Sequence, residues 1–420
     1  MLDEILRLPH ELWGWPFFGL GWMLAAWIVG STIFVFVIAR KHGWGAEVTG
    51  LLPMLVIGAL AIVFLMPRLE QPAHGDLAAG MPLRGYGLMV TLGIIAGGAL
   101  AARQARENGV DTEQVFGLAF YCFVGGIIGA RTFYVVQYRD EYFHGAWTQW
   151  LPRVLNFTEG GLVVYGSFLG ALPACYYYLR KHKLPIAAMA DLVAPSFMVG
   201  LAIGRIGCFL HGCCFAGLCT HDALTVRFPI DSPPYQHQLA RGQLHGFTLV
   251  NDASTGQVVV HEVARGGAAE RAGLRAGDIV ERINGRPAAP LSATFFYTPV
   301  VLIDTQRQAG LTVELSELPL RSGPTVPVQI FSAIHAAALA LLLWSWFPLR
   351  RRDGEVFLLL LTLYPLGRML EEMIRDDEPG RLSTSLSISQ WVSLVVFAVA
   401  MGLWGLLLRR PRQTVWPRFS

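Results

Sequence analysis

The stretch at 204–217, GRIGCFLHGCCFAG, combines one arginine, one histidine, three cysteines and four glycines at the end of a long apolar run. An arginine inside a bilayer costs about 2.5–3.5 kcal/mol on insertion scales, so Arg205 needs a phosphate, a carboxylate or a water-filled cavity beside it. Glycines let a ligand head group or another backbone come close. The stretch therefore predicts a site for an anionic lipid head group at one face of a membrane.

Further polar side chains interrupt other apolar runs. Arg131 lies within one run, and Tyr364, Arg368 and Glu372 share one helix face in another at i, i+4 and i+8. Arg368 and Glu372 could form no more than an i, i+4 ion pair. Because the planar guanidinium suits bidentate contacts with phosphate oxygens, we instead expect these residues and Arg205 to build a water-accessible pocket for a phosphate diester.

The cysteines crowd the same stretch. Six cysteines in the chain are too few for a disulfide scaffold, and the spacing of Cys208, His211, Cys213, Cys214 and Cys219 matches no zinc pattern. A disulfide among the last three, or plain structural thiols, is favoured; a metal site and a catalytic role for His211 or a cysteine are the alternatives. The sequence thus predicts no metal site and no cofactor.

Composition indicates what must position these residues. The chain has 420 residues, 53% of them hydrophobic and 15% charged, whereas soluble domains carry about 25% charged residues. We expect an all-α polytopic membrane protein with about nine transmembrane helices. The apolar runs lie near 17–39, 50–66, 86–103, 116–137, 161–179, 187–210, 328–348, 355–374 and 389–408.

Lys and Arg clusters follow every odd-numbered run, as at Arg40-Lys41 and Arg350-Arg351-Arg352. The excess of basic residues in cytoplasmic loops then predicts an extracytoplasmic N-terminus and a cytoplasmic C-terminus. The stretch at 204–217 and the long loop after it would also be extracytoplasmic.

That loop, roughly 212–326, has a soluble-like composition. Residues 256–263 alternate like a strand, Asn284-Gly285 is a hairpin-turn signal, and 311–315 would be a closing strand. With GGAAERAGLRAGD and IVERINGRP between them, the segment at about 245–320 resembles a PDZ domain; the alternative is a generic small β-rich insert. The resemblance implies an α+β domain that binds a peptide or protein ligand by strand addition.

Seven motifs, in order along the chain, resemble the prolipoprotein diacylglyceryl transferase family. They are RGYGLM at 84–89, GARTFYVV at 129–136, EGGLVVYGSFLG at 159–170, GRIGCFLHG at 204–212, PVQIF at 327–331, YPLGRMLEEMIR at 364–375 and SISQ at 387–390. The resemblance implies a seven-span transferase core with two extra N-terminal spans. The expected domains are 1–80 (extra spans), 81–240 (core, first part), 241–322 (PDZ-like insert) and 323–420 (core, second part).

The family resemblance also implies a reaction in the bacterial cytoplasmic membrane. Phosphatidylglycerol gives its diacylglyceryl group to the lipobox cysteine of a preprolipoprotein, and glycerol 1-phosphate is released. The resemblance implies that Arg205 and Arg368 hold the phosphate and that Tyr86 and Tyr364 line the pocket. It implies no nucleic-acid partner. The motifs also supply further expected substrate-binding residues: Arg131, Gly161, Gly207, Gln329 and Glu372.

Several positions depart from the family pattern. Tyr165 stands where the family often has a histidine, and Cys208, His211 and Cys213 replace two asparagines and a glutamate. The usual HPxQLYE reads VPVQIFS at 326–332, without its histidine and glutamate. Tyrosine is a weak general base at neutral pH, so His211 is the hypothetical replacement base beside Tyr165.

These departures leave other functions open. A diverged paralogue could bind or transfer another lipid group, and a membrane scaffold could bind peptides through the PDZ-like insert. A zinc protease of the His-Glu-x-x-His type is disfavoured, because His10-Glu11 is not followed by a second histidine.

Overall fold

The computed structural model describes residues 4–43, 45–72, 78–143, 147–155, 161, 163–219, 224–252, 255–376, 384 and 386–416. The chain divides into two compact units, Met1–Leu88 and Met89–Ser420.

The first unit consists of two small sheets and a helical hairpin. Strand β1 pairs antiparallel with β4, and β2 pairs with β3. Helix α2 contains Pro53 and continues through a π turn and a 3₁₀ turn to Leu69. The elements are β1 (Glu4–Pro9), β2 (Glu11–Leu12), β3 (Trp15–Pro16), α1 (Trp22–His42), α2 (Ala46–Leu60) and β4 (Gly80–Arg84).

The second unit contains the remaining helices and a sheet. Helix α3 (Gly85–Glu107) begins in the first unit and continues into the second. The other helices before the sheet are α4 (Thr112–Gln137), α5 (Arg139–Tyr142), α6 (Trp147–Leu155), α7 (Val164–Lys181), α8 (Ile186–His211) and α9 (Pro233–Ala240). The helices after it are α11 (Val328–Trp346), α12 (Glu355–Glu372) and α13 (Ile388–Leu408).

Seven helical segments of the described chain are long and apolar enough to span a membrane. They are Trp22–Arg40, Leu52–Leu69, Gly85–Glu107, Thr112–Gln137, Ile186–His211, Val328–Leu349 and Ile388–Leu408. The prediction of a mostly helical, polytopic membrane protein is therefore confirmed. The two other expected spans correspond to α7 and α12, helices of 18 residues each, and the total of nine spans stays a prediction.

Helices α4 and α7 approach each other at backbone distance through glycines. A Cβ built on Gly125 would lie 2.7 Å from the carbonyl oxygen of Gly170, and one on Gly129 would lie 2.7 Å from the Cα of Gly170. Small residues permit this approach between membrane helices. This close contact fixes the position of Arg131 on α4 relative to Tyr165 on α7.

Helix α8 carries a buried carboxylate near its start. Asp191 is fully buried and accepts hydrogen bonds from the backbone N–H groups of Gly354 (2.7 Å) and Phe357 (2.8 Å). These amides belong to the first turn of α12, whose unpaired N–H groups and positive dipole end favour a carboxylate. Arg350 lies beside it, with Nε 3.7 Å from Asp191 and 3.6 Å from Asp353.

The sheet lies between α9 and α11 in sequence, in the order β10-β9-β7-β6-β5, with β8 on β7. Its elements are β5 (Phe247–Asn251), β6 (Val258–Val263), α10 (Ala268–Arg271), β7 (Ile279–Ile283), β8 (Arg286–Pro287), β9 (Val300–Thr305) and β10 (Leu311–Glu314). The predicted strands at 256–263 and 311–315 are thus confirmed as β6 and β10. Asn284-Gly285 forms the turn between β7 and β8, with φ of 51° and 75°. The PDZ assignment stays a prediction.

Candidate functional site

A network of charged side chains lies at the end of α12. Arg368 Nη2 is 2.7 Å from Glu372 Oε2, and Arg375 Nη1 is 3.0 Å from the same oxygen. The spacing of four residues places Arg368 and Glu372 on one helix face, and Arg375 follows just after the end of α12. Arg368 and Glu372 are 9% and 6% exposed. The i, i+4 ion pair that the sequence left open is therefore present, but as part of a larger buried ion network.

The first turn of α13 completes this network with two serines. Ser387 caps the helix by accepting from the backbone N–H of Gln390, and its hydroxyl donates to Glu372 Oε1 at 2.9 Å. Ser389 accepts from Arg368 Nη2 at 3.4 Å, and its oxygen is 3.3 Å from the Tyr165 hydroxyl. The structure thereby joins Tyr165 of α7 to Arg368 through one hydroxyl.

Arg205 reaches the same region from α8. Its side chain is hydrogen-bonded to the Tyr364 hydroxyl of α12, and it interacts electrostatically with Glu371. Glu371 Oε2 is also 3.8 Å from Arg368 Nη1. The region therefore holds the guanidinium groups of Arg205, Arg368 and Arg375 and the carboxylates of Glu371 and Glu372. One positive charge is in excess, which suits an anionic ligand.

Sequence reasoning missed a second polar pair between α11 and α12. Glu371 accepts hydrogen bonds from Ser332 Oγ (2.6 Å) and His335 Nδ1 (2.9 Å), and it is 9% exposed. The His335 ring stacks parallel to Tyr364, with centroids 6.1 Å apart. The signal in the sequence was His335 in the mostly apolar run of α11, together with two consecutive glutamates in the following helix, α12. Together these residues fix the ring that contacts Arg205.

Arg131 is hydrogen-bonded mainly to backbone carbonyls. Its Nε donates to the Val154 carbonyl (2.8 Å), and its Nη2 donates to the Arg153 carbonyl (2.6 Å) and the Tyr142 hydroxyl (3.3 Å). The guanidinium thus ties α6 to α4. This arrangement favours a positioning role, and direct substrate contact by Arg131 stays a prediction.

Gly161 lies against the guanidinium group of Arg131. Its carbonyl accepts from Arg131 Nη1 at 3.1 Å, and its φ is +79°. A Cβ there would lie 2.5 Å from that nitrogen and 2.7 Å from the Tyr134 ring. Both the left-handed backbone and the lack of space therefore require glycine. Glu159, beside it in the motif, lies outside the described residues.

No disulfide links Cys213, Cys214 and Cys219 in this structure, so the expected bridge among them is not formed. Instead, the sulfur atoms of Cys208, Cys213 and Cys214 all lie within 4.8 Å of one another. Cys219 lies apart from this group, where its backbone N–H donates to the Pro324 carbonyl. The reason is local geometry, because the turn after α8 folds Cys213 and Cys214 back toward Cys208.

The other predicted residues take varied positions. Gln329 is fully buried, and its Nε2 donates to the Cys213 carbonyl at 2.8 Å. Gly207 is buried within α8, and His211 is the last residue of that helix. Tyr86 lies in the first unit, 44% exposed at the start of α3.

These features define a polytopic membrane protein with a buried, cationic site of arginine, tyrosine and serine side chains near helix ends. A family model described as prolipoprotein diacylglyceryl transferase matches residues 76–406. The chain belongs to this family.

Three relatives are named phosphatidylglycerol–prolipoprotein diacylglyceryl transferase. One from Rhodopirellula baltica is 33% identical over 96% of this chain and 88% of its own length. One from Clostridium tetani is 24% identical over 77% of this chain and 92% of its own. One from Shewanella sp. strain ANA-3 is 38% identical over 40% of this chain and 60% of its own.

Proposed function

We propose that this protein transfers the diacylglyceryl group of phosphatidylglycerol to the lipobox cysteine thiol of preprolipoproteins and releases glycerol 1-phosphate. Family membership and the relative that aligns over 96% of the chain support this reaction. The observation that carries it is the excess of guanidinium groups around Arg205 and Arg368, since the leaving group of this reaction is a phosphate.

The chemistry needs cations where charge develops. The thiolate forms a bond to the glyceryl carbon, the bond from that carbon to the phosphate oxygen breaks, and negative charge grows on the phosphate. Arg368 Nη1 is buried and has no hydrogen-bond partner within the described chain. That nitrogen and Arg205 are the donors that bind the phosphate. A preorganised donor of this kind contributes about 10²–10³-fold to the rate.

Other side chains hold these donors. Glu372 aligns Arg368, and Tyr364, stacked on His335, orients Arg205. Arg131 and Gly161 secure α6 against α4, and Gln329 secures the turn after α8. Gly207, buried two residues after Arg205 in α8, leaves room beside the site. Tyr86 is a proposed substrate-binding residue, which its place in the family motif at 84–89 supports.

Tyr165 and His211 are the proposed proton carriers for the thiol. Tyr165 is connected to Arg368 through Ser389, which supports a place near the reacting groups. Replacing Tyr165 by Phe removes one hydroxyl and should change the pH–rate profile. Replacing His211 by Gln tests the second carrier by the same measurement, and a profile unchanged by both substitutions contradicts this assignment.

The enzyme acts from the outer face of the bacterial cytoplasmic membrane, with its C-terminus in the cytoplasm. The basic clusters after odd-numbered apolar runs support this orientation. The insert at 241–322 serves as a PDZ-like domain that binds a peptide or protein, in support of which β5 is a sheet edge suited to strand addition. Deleting the insert should narrow the range of prolipoproteins processed; an unchanged range contradicts its role.

The decisive assay combines the purified protein in detergent, labelled phosphatidylglycerol and a lipobox peptide. Arg205→Ala and Arg368→Ala should each lower transfer about 10²–10³-fold. Arg103→Ala is the matched control, because Arg103 is exposed and pairs with Glu107. Absence of diacylglyceryl transfer by the folded wild-type protein would overturn the proposed function.

A further inference from the structure

Three thiols converge beside the arginine site. The sulfurs of Cys208, Cys213 and Cys214 lie within 4.8 Å of one another. In a tetrahedral site with metal–sulfur bonds of about 2.3 Å, three sulfurs lie about 3.8 Å apart. The three side chains would therefore need to move by only about 1 Å to bind one ion. A disulfide would use two of these sulfurs and leave the third without a role.

Two residues with left-handed backbone conformations bring these thiols together. Gly212 ends α8 in the left-handed conformation, with φ of 87°, and its N–H donates to the Cys208 carbonyl at 2.8 Å. Cys214 also has a positive φ, of 58°. Such a conformation is uncommon for a residue with a side chain and costs of order 1–3 kcal/mol, so it points to a constraint at this position.

The surroundings suit thiolates and an incoming ligand. Arg205 and Arg375 both interact electrostatically with Cys214, and Arg205 also does so with Cys208. Two guanidinium groups thus compensate the negative charge that thiolates would bring. Gln329 donates to the Cys213 carbonyl, while its own Oε1 is buried without a hydrogen-bond partner in the described chain. A buried acceptor left open beside the thiols is an independent sign of a missing ligand.

We propose that Cys208, Cys213 and Cys214 bind one zinc ion, whose fourth position takes the lipobox cysteine of the substrate as a thiolate. Soft thiolate ligands select zinc over harder cations, and three protein ligands with an open fourth position are typical of catalytic zinc. A thiol that coordinates such an ion is deprotonated outright. The inference rests on the proposed transfer reaction and explains how its nucleophile forms in a chain that lacks the usual histidine.

The step balances without redox chemistry. On coordination, the lipobox S–H loses its proton to solvent water, since a thiol bound to such an ion is deprotonated. The coordinated sulfur then forms the S–C bond to the glyceryl carbon, and the C–O bond breaks with its electron pair on the phosphate oxygen. The thioether product is a weaker zinc ligand than a thiolate and leaves the ion.

The first measurement is metal content. Full-length protein purified without chelators should hold one zinc per chain by elemental mass spectrometry, and Cys208→Ser, Cys213→Ser and Cys214→Ser should each lose it. The Cys122→Ser/Cys175→Ser double variant is the matched control, because those cysteines lie in α4 and α7 and should leave zinc content unchanged. Metal removal from the wild-type protein by a chelator, followed by zinc re-addition, covers the case in which a serine variant fails to fold.

The second measurement tests the fourth ligand. Cobalt-substituted protein should show thiolate-to-metal absorption that changes when a lipobox peptide is added. The same peptide with serine in place of cysteine should leave the spectrum unchanged. Transfer activity in metal-free wild-type protein, or a thiol titration that finds a disulfide among the three cysteines, would overturn the zinc site while leaving the proposed function intact. Zinc and thiol binding without transfer would instead remove the proposed function.

Discussion

Helices α8 and α12 carry two buried ion clusters, one at each end of α8. Asp191 and Arg205 are 14 positions apart on this helix, or about 21 Å. Around Asp191, three carboxylates face two guanidinium groups, since Asp353 and Glu355 join it beside Arg350 and Arg352. Around Arg205, three guanidinium groups face two carboxylates. The same residue types thus build clusters with opposite charge excess.

The two clusters also differ in the groups that bind their charged side chains. Both oxygens of Asp191 are used by backbone amides of α12, so this carboxylate serves the fold. Arg350 lies over the Phe347 ring, 3.9 Å from its centroid, and donates to the Phe347 carbonyl. At the other end, Arg368 pairs with the carboxylates of Glu371 and Glu372, and its Nη1 has no hydrogen-bond partner in the described part of the chain. Unpartnered donors occur in both clusters, since Arg350 Nε and Nη2 are also buried without a hydrogen-bond partner in the described chain. The difference therefore lies in the sign of the excess charge and in the carboxylate that backbone amides bind at the Asp191 end.

The largest expected effect separates the clusters by stability. Asp191→Ala removes the acceptor of two amides and a partner of Arg350, and loss of one member of a buried pair costs about 3–5 kcal/mol. We expect a lowered midpoint of thermal unfolding in detergent, with transfer activity per folded molecule kept. Asp191→Asn, which retains one acceptor oxygen, should cost less. Full stability with lost activity would show that the Asp191 cluster serves catalysis.

The next effect concerns Glu372. Glu372→Gln removes the charge that aligns Arg368 and Arg375, and a misplacement of about 1 Å at a reacting centre costs about 10²-fold in rate. We expect kcat to fall by roughly that factor, with a smaller change in KM. The control is Glu107→Gln, which breaks the exposed pair with Arg103. If the two variants have the same kcat, the cluster around Arg205 and Arg368 has no role in catalysis.

A smaller effect is expected at His335. His335→Phe preserves an aromatic ring against Tyr364 but deletes the hydrogen bond to Glu371. One hydrogen bond to a charged group contributes about 1.5–3 kcal/mol, and because His335 acts through Tyr364 we expect only about a tenfold loss in kcat/KM. His335→Ala, which removes the stacking too, should lose more. If both variants equal the wild type, the pair between α11 and α12 has no part in the site.

The smallest effect lies in the insert, outside both clusters. Burial lowers the pKa of His245, whose Nε2 donates to the Thr298 carbonyl at 2.9 Å. Below about pH 6.5 the unfolded chain takes up a proton that the folded insert resists, so the insert loses stability as pH falls, by at most about 1.4 kcal/mol per pH unit. Hydrogen exchange of β5 and β6 at pH 7.5 and 5.5 should show this loss. His245→Phe should remove the pH dependence.

The sequence predicted the elements better than the contacts. Apolar run lengths and turn residues sufficed for the membrane helices, for β6 and β10, and for the Asn284-Gly285 hairpin, because these depend on local pattern. The polar motifs led to Arg205, Arg368 and Glu372, because a bilayer makes such residues costly wherever they lie.

Contacts between distant segments were beyond such patterns. The pairing of Glu371 with His335, and of Ser387 with Glu372, depends on helix rotation and packing that no local spacing encodes. Arg131 was recognised as costly, but its acceptors are backbone carbonyls, which every sequence offers equally. The three thiols converge through two left-handed residues after α8, one of which, Cys214, is not a glycine.

The Ser387 hydroxyl makes two hydrogen bonds. It accepts the backbone N–H that starts α13 and donates to Glu372 Oε1. The register of a membrane helix is thereby coupled to the position of a carboxylate that aligns Arg368. Any change in the position of Glu372 is therefore shared with the residue that caps the start of α13.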